Sequence, residues 1–199
     1  MRTYLIDDEP ALRESFSALL SVFGKPCVAF EDAESFLEEF DGQNRSCVFC
    51  DVNLPGMNGL QLLDRIADKT RGSAAVVMIT GLGDVPLAVR AMQAGAIDFI
   101  EKPVSPERVE EALTRAEALF AENGGGGRKA QAAAAIAGLT ERECAVVEKL
   151  ANGRPNKVAA YELGISPRTI EVHRAHIMEK TGAGSFAELV RMAIDADLV

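Results

Sequence analysis

The alternation of short apolar runs with amphipathic segments is the feature that most constrains the fold of this 199-residue chain. The apolar runs have the length of buried strands, and the segments between and after them carry apolar residues spaced three and four apart, as in helices. This alternation predicts an α/β fold whose parallel sheet is covered by helices on both faces. The predicted strands are Thr3–Ile6, Cys27–Phe30, Cys47–Cys50, Ala75–Ile79 and Ala96–Ile100. The predicted helices span about residues 10–23, 32–40, 57–67, 84–94 and 105–120.

Polar residues follow four of these five strands. Asp7 and Asp8 come after the first strand, Asp51 after the third, Thr80 after the fourth and Lys102 shortly after the fifth. In open parallel sheets, ligands bind at the carboxyl ends of the strands. We therefore expect these side chains to converge on one edge of the sheet.

Such a group of side chains favours phosphoryl chemistry. Clustered carboxylates repel one another unless a cation compensates, and hard oxygen ligands suit Mg²⁺. One carboxylate can then accept a phosphoryl group as an aspartyl phosphate, with a lysine and a hydroxyl group contacting the phosphoryl oxygens. A hydrolase working through such an intermediate needs a second aspartate two residues later as general acid. Asn53 stands at that position, which argues against this enzyme class.

Four motifs in the first 120 residues resemble those of the receiver domain of two-component response regulators. They are Tyr4–Glu9, Asp51–Gly59, Val77–Gly81 and Asp98–Pro103. The resemblance implies a flavodoxin-like, doubly wound sheet of five parallel strands in a receiver domain spanning residues 1–120.

The resemblance also implies a role for each residue of the motifs. Asp51 would be the phosphoacceptor, and Thr80 and Lys102 would contact the phosphoryl group. Phe99 would be the aromatic switch residue that follows Thr80, and Lys102–Pro103 would be a cis peptide. Mg²⁺ would be held by Asp7, Asp8, Asp51 and the main-chain carbonyl of Asn53.

The charge changes sharply along the chain. Residues 1–123 carry 11 basic and 21 acidic side chains, whereas residues 124–199 carry 10 and 9. The acidic first part would repel a phosphate backbone, so any nucleic-acid-binding surface is expected in the second. Four glycines at 124–127 followed by an alanine-rich stretch predict a linker over residues 121–138, flexible at first and helical later.

The remaining residues, 139–199, predict an all-α domain of four helices. Thr140 and Glu143 form a capping-box pattern, Gly164 suits a tight turn, and Ser166 can cap the helix that follows. Two short helices joined by such a turn are typical of a helix-turn-helix. Three segments are similar to those of the LuxR-type DNA-binding domain: Leu139–Glu143, Gly153–Ala159 and Ile165–Arg174. The whole chain accordingly resembles the NarL/FixJ family of response regulators.

This second resemblance implies that the helix over residues 166–180 lies in the major groove of DNA. Glu171 could accept a hydrogen bond from a cytosine amino group, and Val172 could contact a thymine methyl group. His173 falls on the inward face and is interpreted as a packed histidine. The predicted DNA-binding residues are Lys157, Arg168, Thr169, Glu171, Val172, Arg174 and Lys180.

Together the two resemblances imply a transcriptional regulator that is not an enzyme, although it accepts a phosphoryl group and can promote its own dephosphorylation. A sensor histidine kinase would phosphorylate it, and the resulting homodimer would bind double-stranded DNA with two half-sites. The predicted dimer surface comprises Val85, Val89, Arg90, Gln93 and Ile97, next to Phe99. An alternative is a phosphate sink or protein-interaction regulator without DNA output.

Three further features predict a cytoplasmic protein with no membrane partner, and the resemblance to two-component regulators implies a bacterial one. There is no run of about 18 apolar residues, and acidic residues follow Met1 too closely for a signal peptide. Four cysteines without a secretory signal predict reduced thiols. Cys47 and Cys50 lie three apart on a strand and point to opposite faces, so we interpret them as buried core residues rather than a metal or redox pair.

Overall fold

The computed structural model describes residues 1–70, 72–81, 85–121 and 126–199. They group into two compact units, one of Met1–Leu82 with Ala94–Glu122 and one of Gly83–Gln93 with Asn123–Val199.

The first unit contains a five-stranded sheet in which all neighbouring strands are parallel, in the order β2-β1-β3-β4-β5. This confirms the predicted α/β class. The strands are β1 (Arg2–Ile6), β2 (Cys27–Phe30), β3 (Ser46–Asp51), β4 (Ala74–Thr80) and β5 (Asp98–Glu101). The helices of this unit are α1 (Pro10–Val22), α2 (Ala33–Glu39), α3 (Gly59–Thr70) and α5 (Pro106–Ala121).

The core of this unit lies on both faces of the sheet, and all six residues of the central strand β3 are buried. On one face, Phe49 packs with Phe16 of α1, their ring centroids 5.0 Å apart. On the other face, Tyr4 meets Phe36 and Phe40 edge to face. Each fully buried side chain of this size contributes about 1.5–3 kcal/mol of transfer free energy.

The strand register aligns the carboxyl ends on which the candidate site depends. Ile6 pairs with Cys50, and Asp51 pairs with Ile79. The observed β5 begins at Asp98 rather than at the predicted Ala96, because a turn at Gly95, with φ of 101°, precedes it.

The second unit is entirely helical in its described residues, which confirms the predicted helical C-terminal domain. Thr140 and Glu143 form the predicted capping box, Gly164 adopts the left-handed conformation, and Ser166 caps the following helix. The helices are α4 (Val85–Gln93), α6 (Gly126–Ala137), α7 (Glu141–Ala151), α8 (Asn156–Leu163), α9 (Pro167–Thr181) and α10 (Phe186–Asp195).

The helix predicted in the later part of the linker begins earlier than predicted, at Gly126, within the run of four glycines. Helix α6 occupies most of the linker, and Ala132 and Ile136, four residues apart, are buried where α6 packs on α10. Gly124 and Gly125, predicted to be flexible, lie outside the described residues. Within the described ranges, no helix combines the length and apolar character needed to cross a membrane.

Candidate functional site

The structure brings the predicted strand-end residues together at the carboxyl edge of the sheet. Asp7 directly follows β1, Asp51 and Thr80 are the last residues of β3 and β4, and Lys102 directly follows β5. The Lys102 amide donates a hydrogen bond to the Thr80 carbonyl at 2.7 Å, which continues the pairing of β4 and β5 by one residue. The Lys102–Pro103 peptide is cis.

Lys102 bridges two buried carboxylates. Its Nζ donates to Oδ2 of Asp51 at 2.7 Å and to Oδ2 of Asp7 at 2.9 Å. Asp7 is fully buried and Asp51 is 4% exposed, whereas the Lys102 side chain keeps 21% of its surface in solvent. Two carboxylates therefore share one ammonium group that solvent can still reach.

Burial and ion pairing have opposite effects on the pKa values in this group. Burial raises the pKa of Asp7 above its ordinary value, although the hydrogen bond from Lys102 acts in the opposite direction. Burial would lower the pKa of Lys102, but its hydrogen bonds to Asp51 and Asp7 outweigh that effect and raise the pKa. Lys102 is therefore a permanent cation at physiological pH.

The carboxylates can also hold a divalent metal ion. Oxygen atoms of Asp7, Asp8 and Asp51 lie within 4.8 Å of one another, and Asp8 is exposed. Backbone amides orient the two buried carboxylates, because Glu9 donates to Oδ1 of Asp7 at 2.9 Å and Asn53 donates to Oδ1 of Asp51 at 3.1 Å. A set of carboxylate oxygens beside solvent is the donor set of a hard cation that keeps some of its waters.

The predicted switch residues differ in burial. Thr80 is fully buried, and Phe99 is half-buried with its amide donating to Oδ1 of Asp98 at 2.8 Å. The switch role of Phe99 stays a prediction.

Two sets of contacts in the first unit were missed by the sequence reasoning. Arg13 of α1 donates to the Asp7 carbonyl at 2.7 Å. Asp98 is fully buried and forms ion pairs with Arg108 and Arg115 of α5. Burial raises the pKa of Asp98, while the two guanidinium groups act to lower it. Asp98 stands within an apolar run, and this could have indicated basic partners, because a buried carboxylate requires them.

The predicted DNA-binding residues fall into two groups. Most of them are exposed or half-exposed on α8 and α9, and Thr169 exchanges a hydrogen bond with Ser166 at 2.8 Å. Arg174 and Lys180 instead contact protein groups: the Arg174 guanidinium lies 4.5 Å from the centroid of Phe186, and Lys180 pairs with the buried Glu143. Lys180 is nevertheless exposed, as are Lys157, Arg168, Glu171 and Val172.

The residues of the predicted dimer surface differ in burial. Val89 is 1% exposed, Val85 and Ile97 are half-buried, and Arg90 and Gln93 are exposed. The dimer surface stays a prediction.

The interpretation of Cys47 and Cys50 as buried core residues is confirmed, and the packing of His173 stays a prediction. His173 is half-buried, and Cys47 and Cys50 are free and fully buried.

Two family models match the chain. A model of the response regulator receiver domain matches residues 4–114, and a model of bacterial regulatory proteins of the luxR family matches residues 137–193.

Curated relatives match over nearly the whole length. The transcriptional regulatory protein FixJ of Azorhizobium caulinodans is 44% identical over 193 residues, covering 96% of this chain and 90% of that protein. The FixJ protein of Bradyrhizobium diazoefficiens is 42% identical over 205 residues, covering 98% and 96%. The crystal structure of full-length FixJ from B. japonicum is 41% identical, with a TM-score of 0.53, and covers 100% of this chain and 98% of that one.

Proposed function

The chain belongs to the FixJ-like response regulators and is a phosphorylation-dependent transcriptional regulator, and on that premise we propose how its own residues perform this function. Asp51 accepts a phosphoryl group from a sensor histidine kinase. The modified receiver domain then favours a dimer, which binds DNA through two copies of the domain at residues 139–199.

The observation that carries the proposal is the bridge from Lys102 to the carboxylates of Asp51 and Asp7. An oxygen of the Asp51 carboxylate bonds to phosphorus as the bond from phosphorus to the kinase imidazole nitrogen breaks, and the imidazole keeps the electron pair. Lys102 then neutralises a phosphoryl oxygen, since phosphoryl transfer depends mainly on positioning and charge stabilisation. Thr80 donates its hydroxyl hydrogen to another phosphoryl oxygen.

The acidic group fits Mg²⁺ as cofactor. Carboxylates of Asp7, Asp8 and Asp51 would hold it with the main-chain carbonyl of Asn53. When bound, Mg²⁺ supplies the positive charge that lets an anionic carboxylate approach an anionic phosphoryl group. The chain is not an enzyme in this proposal, although the same residues can promote loss of its own phosphoryl group to water.

The output depends on dimerisation. One small domain with little net positive charge binds DNA weakly, and two copies double the phosphate and base contacts and select two half-sites. The exposed side chains of Arg168, Glu171 and Val172 support a role for α9 in base recognition in the major groove. The free thiols of all four cysteines support a reducing, cytoplasmic location.

Selection of DNA fragments from a random pool tests this function. The purified chain is used with Mg²⁺ and acetyl phosphate, and again with neither, alongside Asp51→Asn and a control, Asp68→Asn, at an exposed aspartate of α3. We expect a motif with two half-sites only for the activated wild type and the control. Equal enrichment without phosphodonor would contradict the phosphorylation gate. No enrichment from a chain phosphorylated at Asp51 would favour a phosphate sink.

A further inference from the structure

Glu34 of α2 reaches across the fold to the loop that follows Asp51. We define the β3–α3 loop as residues 52–58. Oε1 of Glu34 accepts a hydrogen bond from the Met57 amide at 3.0 Å, although the two residues are 23 positions apart. Asp32 caps α2 by accepting from the Ser35 amide at 2.7 Å, so Glu34 projects from a fixed first turn.

A second observation at Gly56 matches this contact. Gly56 has φ of 70°, and a Cβ there would lie 2.8 Å from Oε1 of Glu34. A side chain at this position would therefore both strain the backbone and displace the Glu34 carboxylate. The loop approaches Glu34 closely because residue 56 is a glycine.

A main-chain hydrogen bond also closes the β3–α3 loop between its two ends. The Gly59 amide donates to the Val52 carbonyl at 3.0 Å, and a Cβ on Gly59 would lie 2.2 Å from the Asp51 carbonyl oxygen. Gly59 and Glu34 thus restrain the segment that contains Asn53. The Asn53 side chain is exposed, and its amide donates to Oδ1 of Asp51 at 3.1 Å, so main-chain contacts restrain this residue.

We propose that Glu34 is a positioning residue for the metal site, acting through the Met57 amide to hold the β3–α3 loop and with it the Asn53 carbonyl. This rests on the proposed function, in which that carbonyl is a Mg²⁺ ligand. In the free chain Glu34 orders the loop before the metal binds, which reduces the entropy that Mg²⁺ binding must overcome. Loss of the hydrogen bond therefore weakens Mg²⁺ binding rather than the chemistry of a fully loaded site.

Three variants of the full chain test the proposal. Glu34→Ala removes the acceptor, Glu34→Gln retains an oxygen acceptor, and Glu38→Ala removes an exposed carboxylate from the same helix. Mg²⁺ affinity is measured by calorimetry, the exchange rate of the Met57 amide by NMR, and the melting temperature in chelator by circular dichroism.

We expect Glu34→Ala to weaken Mg²⁺ binding about two- to tenfold, the range that corresponds to one hydrogen bond. The Met57 amide should exchange faster in this variant, while Glu34→Gln and Glu38→Ala remain close to wild type. An unchanged Mg²⁺ affinity in Glu34→Ala would overturn the proposal, including the case where only the melting temperature falls. If the wild type bound no Mg²⁺ at all, the proposed function would fail first, and the two failures are thereby distinguished.

Discussion

The ammonium nitrogen of Lys102 lies 2.7 Å from Oδ2 of Asp51. The same nitrogen lies 2.9 Å from Oδ2 of Asp7, so one cation already compensates both buried carboxylates. A divalent cation bound to these carboxylates would share them with Lys102. The cation and the ammonium group would then repel each other, because both are positive and contact the same oxygens. In the proposed function, Lys102 and Mg²⁺ would therefore oppose each other in binding, although both would favour the phosphorylated form.

Replacing Lys102 with methionine should separate these two effects. We expect Lys102→Met to bind Mg²⁺ about fivefold more tightly or better, because the competing charge is removed. Phosphorylation of Asp51 by acetyl phosphate should be about tenfold slower or worse, because the variant has no ammonium group to donate to the phosphoryl oxygens. Calorimetry and the rate of phosphoprotein formation check the two effects, with the exposed Lys69→Met as control. Weaker Mg²⁺ binding in Lys102→Met would contradict this account.

Thr80 should couple phosphorylation to dimerisation. Its side chain is fully buried at the end of β4, and its carbonyl accepts the Lys102 amide at 2.7 Å. We expect Thr80→Ala to be phosphorylated within about threefold of the wild-type rate, because Lys102 and Asp7 remain. Dimer formation with beryllofluoride, measured by sedimentation, should fall about tenfold or more. Thr114→Ala, on the exposed side of α5, serves as the control, and full dimerisation of Thr80→Ala would contradict the switch.

The convergence of Asp7, Asp51, Thr80 and Lys102 was predictable because parallel strands carry their carboxyl ends to one edge. The ion pairs of Asp98 were not, since strand periodicity does not indicate which helix faces a buried carboxylate. The hydrogen bond between Glu34 and Met57 joins two segments through a backbone amide, and no side-chain pattern encodes it.

The C-terminal domain shows the same division between local and tertiary information. The caps at Thr140 and Ser166 were predictable because they depend on residues three positions away. The ion pair of Lys180 with Glu143 depends instead on how α7 and α9 pack. The sequence alone therefore does not indicate that Lys180 has a partner, whereas the structure pairs it with Glu143.

That ion pair should be visible in the acid stability of the chain. The hydrogen bond from Lys180, with that from the Thr140 amide, lowers the pKa of Glu143 from 4.5 to about 2. A lowered pKa stabilises the folded state above pH 4.5, and that contribution disappears as the pH falls towards 2. We expect Glu143→Gln to melt below the wild type at pH 6, with the difference shrinking as pH approaches 2.

Thermal melts followed by circular dichroism between pH 6 and 2.5 measure this difference. Glu148→Gln, at an exposed position of the same helix α7, is the matched control and should show a smaller effect. A difference between wild type and Glu143→Gln that stayed constant with pH would mean that the ion pair does not set the pKa.

The cysteines should divide into two classes of reactivity. Cys47 and Cys50 are fully buried, and burial raises the pKa of Cys47 to about 12 and raises that of Cys50 as well. Only a thiolate reacts readily, so both should be inert in the native chain. We expect a thiol reagent at pH 8 to modify the half-buried Cys27 and Cys144 first, and all four after denaturation. Peptide mass spectrometry assigns the sites, and early labelling at Cys50 would contradict the packing of β3.

Arg168 should contribute to DNA affinity mainly through phosphate charge. It is exposed in the first turn of α9, beside the cap formed by Ser166. We expect Arg168→Ala to weaken binding of the selected operator, and to reduce the slope of log K against log salt by about one for each phosphate that Arg168 would otherwise neutralise. Fluorescence anisotropy measures the affinity and the slope over a salt range of about 50 to 200 mM. Lys129→Ala, an exposed cation on α6, controls for overall charge. An unchanged slope with altered base preference would instead assign Arg168 to base recognition, because a base contact changes specificity more than salt dependence.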